Sequence, residues 1–259
     1  MGFFSKRIPI LNGHFKTGQL RASILPPVRI RFAALWKPKD LLGSIENSSN
    51  FAPRRGRLVE EQTAEILGRF DQELQRQSLS LENSVRITVW GRHRAARTAA
   101  TVARAKVFSG MNRVASSSFI AAERFDSQGD AALELLVLKP LKLPALREPV
   151  DFAPARNYLR YLRYDSWLFF SGFTSAAATL ELQVADILDT LQNAFSHART
   201  DWGKVVKLSV FLQRGRDWNA VRDALIQPVE AASPAIDCRF VDGFAGEKYL
   251  LEVEATALA

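Results

Sequence analysis

The 259-residue sequence predicts an α+β fold made of two similar units, each a mixed β-sheet with two helices packed on one face. Two observations predict this fold class. A helical segment that begins at Gln62 returns 121 residues later at Gln183, and the strand-like segments that follow, from Val85 and Val206, keep the same offset. Each half also shows one order of patterns, which is strand, helix, strand, helix, strand, strand.

The first half begins with a strand-like run within residues 23–36. Apolar residues three and four positions apart then predict helices over residues 58–77 and 95–109. Alternation of apolar and polar residues is typical of a strand with one buried face. It predicts strands over residues 85–90, 113–120 and 131–138.

The second half begins with a strand over residues 161–173, whose apolar end runs into a turn at Ser171-Gly172. The same helical periodicity returns over residues 180–198 and 218–230. The remaining strands are predicted over residues 206–211, 236–240 and 249–258.

These patterns divide the chain into a basic leader (residues 1–22), a first unit (23–138), a linker (139–148) and a second unit (149–259). The linker contains two prolines, which lack an amide donor and suit a short extended connection. A length of 259 residues is ample for two units that each bury a core.

The net charge of +8 comes from the start of the chain. Residues 1–57 hold eleven Lys or Arg against two acids, whereas the other 202 residues hold 24 against 25. We interpret the basic stretch as a solvated face. A transit peptide and a nucleic-acid-binding arm are the alternatives that such a stretch leaves open.

Composition excludes several kinds of chemistry. The single cysteine excludes an internal disulfide, and three scattered histidines argue against a dedicated zinc site. A reducing compartment, the cytoplasm, is therefore expected. No apolar run reaches the roughly 18 to 20 residues of a transmembrane helix, so we expect no membrane partner.

Four features of the second half occur in a specific order and spacing. They are Phe170-Ser171-Gly172 at the end of a strand, Gln183 with Ile187-Leu188 in a long helix, the strand from Val205 to Leu212, and Pro234-Ala235 followed by Leu251-Glu252-Val253-Glu254-Ala255. In these features the chain resembles the RidA/YjgF family of enamine and imine deaminases. The first half is similar to a more diverged copy.

The resemblance implies a chorismate-mutase-like fold and assembly into trimers or pseudo-trimers with sites between domains. In such deaminases an arginine after Pro-Ala binds the carboxylate of a small-molecule substrate, and a glutamate on the last strand positions the attacking water. A guanidinium suits a carboxylate because its two donors form a rigid fork. The resemblance implies no metal and no organic cofactor.

The sequence departs from that pattern at the arginine. Ile236 occupies the position after Pro234-Ala235, and Arg239, three residues along the strand, should point to the opposite face. In the first half the triplet Met111-Asn112-Arg113 aligns with this segment and keeps an arginine. Arg113 with Glu134 is therefore the best-preserved charge pair.

The candidate catalytic residues are Glu134, Glu252 and Glu254. The two glutamates of the last strand share one face because side chains alternate along a strand. An exposed strand pair is their alternative interpretation. The candidate substrate-binding residues are Arg113, Ser171, Gly172, Tyr158 and Cys238; for Arg113 a surface ion pair, and for Cys238 a small buried residue, are the alternatives.

Two polar segments carry weaker signals. The run Ser116-Ser117-Ser118 suits a polar strand edge or an anion-binding turn. The basic segment from Gly91 to Arg97 leads into the second helix, where it suits a solvated helix start or a phosphate site.

The leading hypothesis is a hydrolase of a small, carboxylate-bearing enamine, imine or related unsaturated metabolite, with its site between domains. Three alternatives remain open. One is a chorismatase-like hydrolase on the same fold, suggested by Cys238-Arg239 and the closing strand. Another is a non-catalytic scaffold or ligand-binding subunit, and the last is a nucleic-acid-binding protein.

Overall fold

A computed structural model describes residues 58–121, 129–139, 146–152, 158–229 and 233–259, together with the backbone of residues 28–32. The predicted basic leader lies outside the described residues. The helices and strands form two α+β domains, which confirms the predicted fold class. None of the described helices is both long enough and apolar enough to cross a membrane.

The first domain is a four-stranded mixed sheet with two helices. Its sheet order is β1-β4-β2-β3, in which β2 and β3 are parallel and the other pairs antiparallel. The elements are β1 (Val28–Phe32), α1 (Val59–Arg76), β2 (Ser84–Gly91), α2 (Arg94–Val107), β3 (Ala115–Ile120) and β4 (Ala131–Val137).

The second domain contains a longer sheet, of order β10-β9-β11-β7-β6-β5, and β8 pairs with β11 beside it. Strands β9 and β10 are parallel, and β11 is antiparallel to β9. The elements are β5 (Arg147–Val150), β6 (Tyr161–Tyr164), β7 (Trp167–Phe170), β8 (Phe173–Thr174), α3 (Leu180–Ala198), β9 (Val205–Gln213), α4 (Trp218–Ile226), β10 (Ala235–Val241) and β11 (Leu251–Leu258).

Each pair of helices packs on one face of its own sheet. Phe70 and Leu74 of α1 and Ala100 of α2 cover the face that carries Ile87 and Val89. In the second domain the helices cover the equivalent face, where the buried core includes Ile187, Leu191, Phe195, Leu208, Val210 and Val253. Both helical periodicities therefore mark the core side of an amphipathic helix.

Three local predictions were wrong. The segment 161–173 forms a hairpin, because Asp165 adopts a positive φ of 51° and turns the chain between β6 and β7. Strand β3 begins only at Ala115, because Gly110–Asn112 forms a 3-10 turn that leaves Arg113 before the strand. Strand β5 begins at Arg147, inside the predicted linker, because Arg147–Val150 pairs antiparallel with β6.

The two sheets pack against each other through the faces that their helices leave open. Trp90 and Phe119 of the first domain meet Phe211 and Phe244 of the second, and the rings of Phe119 and Phe211 stack with centroids 3.9 Å apart. All eight residues of β2 are buried. The expectation of a half-buried strand was wrong, because the second sheet covers the polar face.

Phe119→Ala should destabilise the protein by about 3–5 kcal/mol, because it empties the aromatic contact between the two sheets. The measurement is the free energy of unfolding in urea. Leu182→Ala, which truncates a half-exposed leucine on α3, is the matched control and should cost less than about 1 kcal/mol. Equal losses for the two variants would contradict the sheet-on-sheet contact.

Candidate functional site

Three glutamates lie in the contact between the sheets. Glu134 of β4 and Glu252 and Glu254 of β11 are at most 6% exposed. Leu133, Leu135 and Val253, their strand neighbours, face the helices, so the alternation of side chains turns all three carboxylates towards the other sheet. We call these residues the glutamate cluster.

Arg239 is the partner of Glu134. Its Nη1 donates to Oε2 of Glu134 at 3.0 Å, and the guanidinium lies over the ring of Phe211. Burial disfavours the positive charge of Arg239, but the negative charges of Glu134 and Asp237 outweigh the effect of burial and raise the pKa of Arg239. Arg239 was predicted to point to the face of the strand opposite to Ile236, and this contact agrees with that prediction. The face that Arg239 occupies is the one that meets the carboxylates.

The structure does not bring Arg113 to Glu134. Arg113 pairs instead with Asp151 at a half-exposed site near the start of β3. The predicted charge pair was wrong because the 3-10 turn keeps Arg113 off the strand, whereas Glu134 is fully inside the contact between the domains.

Arg86 connects Glu254, another member of the glutamate cluster, to the first domain. It reaches from β2 across the contact and donates to the carbonyl oxygens of Phe170 at 2.9 Å and Ala255 at 2.7 Å. Its Nη1 also donates to Oγ1 of Thr256 and lies 3.4 Å from Oε2 of Glu254. Sequence reasoning missed Arg86, because a polar residue in an alternating strand is usually solvent-exposed.

Glu252 lies where the edge of the first sheet meets the Ser171-Gly172 turn. The amide of Ser116 donates to Oγ of Ser171 at 3.1 Å, and the amide of Gly172 donates to the carbonyl of Ser116 at 3.4 Å. We call the contact formed by Ser116, Ser117, Ser171, Gly172 and Glu252 the seam.

Glycine at position 172 leaves the space in which the carboxyl group of Glu252 lies. A β-carbon there would overlap Oε1 of Glu252 and crowd Oγ of Ser117. The missing side chain therefore lets a buried carboxylate lie directly against the backbone of the turn. Three predicted site residues, Ser171, Gly172 and Glu252, are brought together in this way.

Burial is the main reason why the pKa of Glu252 rises to about 8. The negative charge of Glu254 raises it further, while the Ser117 hydroxyl and the positive charge of Arg97 oppose the change. A carboxyl group with this pKa exchanges its proton near neutral pH, which is the property required of a general acid or base.

Tyr158 and Cys238 lie in different places. Tyr158 lies beside the buried Arg160, whose guanidinium is 6.0 Å from the centre of its ring. Cys238 packs with Ile236 against the helix-facing core of the second domain, so the structure does not bring it into the glutamate cluster. Burial raises the pKa of the Cys238 thiol to about 12, which keeps it protonated.

The strand registers identify which residues of the two domains are equivalent. Arg86 pairs with Ala115 in the first domain, and Lys207, its counterpart at the offset of 121, pairs with Ala235. Ser116 is therefore the counterpart of Ile236. The alignment that placed Arg113 at this position was wrong, and neither domain carries an arginine there.

The glutamate cluster is not arranged as a metal site. Its neighbours Arg86 and Arg239 supply positive charge where a cation would need room. Throughout the described part of the chain, no group of three or more His, Cys, Asp or Glu side chains could hold a metal ion.

Fold and site together define an α+β protein whose buried acidic groups lie between two sheets. The sequence profile of a family described as endoribonuclease L-PSP matches residues 149–259. The match covers the part of the chain that contains the four features resembling the YjgF/RidA family. No curated protein matches the chain closely enough to count as a relative.

Several solved structures are similar to part of the chain. A YjgF-family member from Mycobacterium tuberculosis is 21% identical over 44% of this chain and 100% of its own, with a TM-score of 0.41. A putative endoribonuclease L-PSP from Entamoeba histolytica is 20% identical over 43% of this chain and 94% of its own, with a TM-score of 0.39. A YjgF-family member from Neisseria meningitidis is 20% identical over 43% of this chain and 97% of its own, also with a TM-score of 0.39.

Glu134→Ala should cost about 3–5 kcal/mol of stability, because it leaves the buried charge of Arg239 without its carboxylate. The double variant Glu134→Leu/Arg239→Met should recover most of that loss. The free energy of unfolding in urea is measured for both variants. Asp223→Ala, which removes an exposed ion pair with Arg222, is the control and should cost less than about 1 kcal/mol. A double variant as unstable as the single one would contradict this account.

Glu252 should make stability fall as pH rises from about 4.5 to about 8. Its pKa is 4.5 in an ordinary environment and about 8 in the fold, so the native state holds more protons across this window. Glu252→Gln removes the titration, and its melting temperature should exceed that of the wild type by a margin that grows with pH.

Thermal unfolding at half-unit intervals between pH 4 and pH 9 measures that margin. Glu148→Gln, which changes an exposed glutamate on β5, is the control and should follow the wild type throughout. A constant difference between Glu252→Gln and wild type across the range would rule out the raised pKa.

Proposed function

We propose that the protein hydrolyses small, carboxylate-bearing imines or enamines at the seam between its domains. The observation that carries the proposal is Glu252, a buried acid whose pKa is raised towards neutrality and which lies against the Ser171-Gly172 turn. The similarity of residues 149–259 to the endoribonuclease L-PSP family, and of their motifs to the YjgF/RidA family, supports a role in processing small molecules.

The chemistry requires little more than a positioned water and a group that transfers protons. The oxygen of water bonds to the C=N carbon of a 2-imino acid, and a water proton passes to the nitrogen through Glu252. The proton of the new hydroxyl group then also passes to nitrogen as the C–N bond breaks, so ammonia leaves and an oxo acid remains. Protonated Glu252 supplies a proton to nitrogen, and its carboxylate accepts one from water. Positioning supplies much of the remaining rate.

The other predicted site residues support this centre in different ways. Ser171 is held by the amide of Ser116, which fixes the turn next to Glu252. Glu134 and Glu254 are engaged by Arg239 and Arg86, and we assign them to holding the two sheets in register. Tyr158 and Arg113 lie outside the glutamate cluster, and they take no part in the proton transfer that we propose.

Wild-type protein should accelerate the loss of 2-imino acids, and Glu252→Gln should lower kcat about a hundredfold or more, because the amide cannot transfer the proton. The assay generates imines from leucine or methionine with an amino-acid oxidase and traps the remainder with semicarbazide. Glu148→Gln is the matched control and should retain the wild-type rate.

No acceleration with any imino acid would overturn the deaminase. Turnover of chorismate in its place would favour the chorismatase-like alternative. Binding of oxo acids without turnover of either substrate would instead favour a ligand-binding subunit.

A further inference from the structure

Helix α2 carries two arginines on the side that faces the edge of the first sheet. Arg97 and Arg104 are seven residues apart, which places them on one face two turns apart. They flank the buried alanines through which α2 packs on its sheet. Arg97 donates to the hydroxyl of Ser118 on β3, so this face of the helix lies along the edge strand.

Neither arginine forms an ion pair with a carboxylate among the described residues, although each has its Nε atom buried. Within that part of the chain these two Nε groups make no hydrogen bond. The charges that act on Arg104 are those of Arg97 and Arg113, both positive. Burial, and then these like charges, lower the pKa of Arg104 to about 10. Such an arrangement costs free energy and is relieved when an anion binds.

The arginines lie next to the seam. Ser118, the partner of Arg97, is two residues from Ser116, which contacts the Ser171-Gly172 turn. The charge of Arg97 acts directly on Glu252 across the same edge. Arg113, near Arg104, already has Asp151 as its partner. An anion held by Arg97 and Arg104 would thus lie beside the acid that we assign to catalysis.

We propose that Arg97 and Arg104 of α2 bind the carboxylate of the substrate, replacing the strand arginine that is absent at both Ser116 and Ile236. This assignment rests on the proposed function for the identity of the substrate. Two guanidinium groups that approach from one helix face provide the charge-assisted donors that a planar carboxylate requires. The anchor therefore comes from a helix of the first domain, and the acid comes from a strand of the second.

The test measures binding separately from turnover. The probe is 4-methyl-2-oxopentanoate, the oxo acid formed from the imine of leucine, and 4-methyl-2-oxopentanamide is its uncharged counterpart. Calorimetric titration compares wild type, Arg97→Ala, Arg104→Ala and Arg97→Lys. Lys106→Ala, which removes an exposed positive charge from the same helix, is the matched control. Circular dichroism and melting temperature establish that each variant is folded.

Each alanine variant should bind the oxo acid about tenfold more weakly or worse, which corresponds to the loss of one charge-assisted contact. Arg97→Lys should retain part of the affinity, and Lys106→Ala all of it. The amide should bind weakly to every protein. The assignment is overturned if the alanine variants bind as the wild type does, if wild type prefers the amide, or if wild type binds no oxo acid.

The imine assay on the same variants separates this assignment from the proposed function. Arginine-dependent binding of the oxo acid without imine hydrolysis would overturn the hydrolase and leave the anion site in place. Imine hydrolysis with an unchanged KM in both alanine variants would overturn the arginine assignment and leave the hydrolase in place.

Discussion

The burial of charge between two sheets is the constraint on which the rest of the structure depends. Three carboxylates leave water in this contact, and a buried charge is tolerated only when a partner lies close to it. Arg86 and Arg239 are those partners for Glu254 and Glu134, and in each pair the two charges come from different domains. The aromatic rings around Phe119 and Phe211 surround the charges with apolar surface. The register of one sheet therefore determines where the other can dock.

The two halves contribute different parts to the seam. The second domain supplies Glu252 and the Ser171-Gly172 turn, whereas the first supplies the edge strand and α2 that face them. The strand order β4-β2-β3 of the first half nevertheless corresponds to β11-β9-β10 of the second. The seam therefore depends on both halves, and neither half contains it alone.

Periodicity made the main elements predictable, because an amphipathic helix or strand carries its own signal. Helix α3 was predicted with the observed bounds, and β2 was predicted within one residue of each end. Strand β5 was not, because four residues with a central proline give no clear alternation. The turn at Asp165 was missed because it lies between apolar strands with no glycine or proline beside it, so its turn signal is weak.

The candidate site was harder to predict, because a sequence shows which residues share a face and not what covers that face. The three glutamates were identified, but the partners Arg86 and Arg239 become visible only when the second sheet is in place. The position equivalent to Ile236 was assigned to Arg113 because the loop before each edge strand differs in length. Only the strand pairing that places Arg86 opposite Ala115 identifies Ser116 as the counterpart of Ile236.

The exchange of charges between the domains also bears on the order in which the chain is made. A ribosome completes the first domain before it begins β9, β10 and β11, so Arg86 and Glu134 exist for a time without Glu254 and Arg239. The open face of the first sheet, with Trp90 and Phe119, is also uncovered during that interval. Newly synthesised first domain is therefore the species that most needs protection from aggregation until the second half emerges.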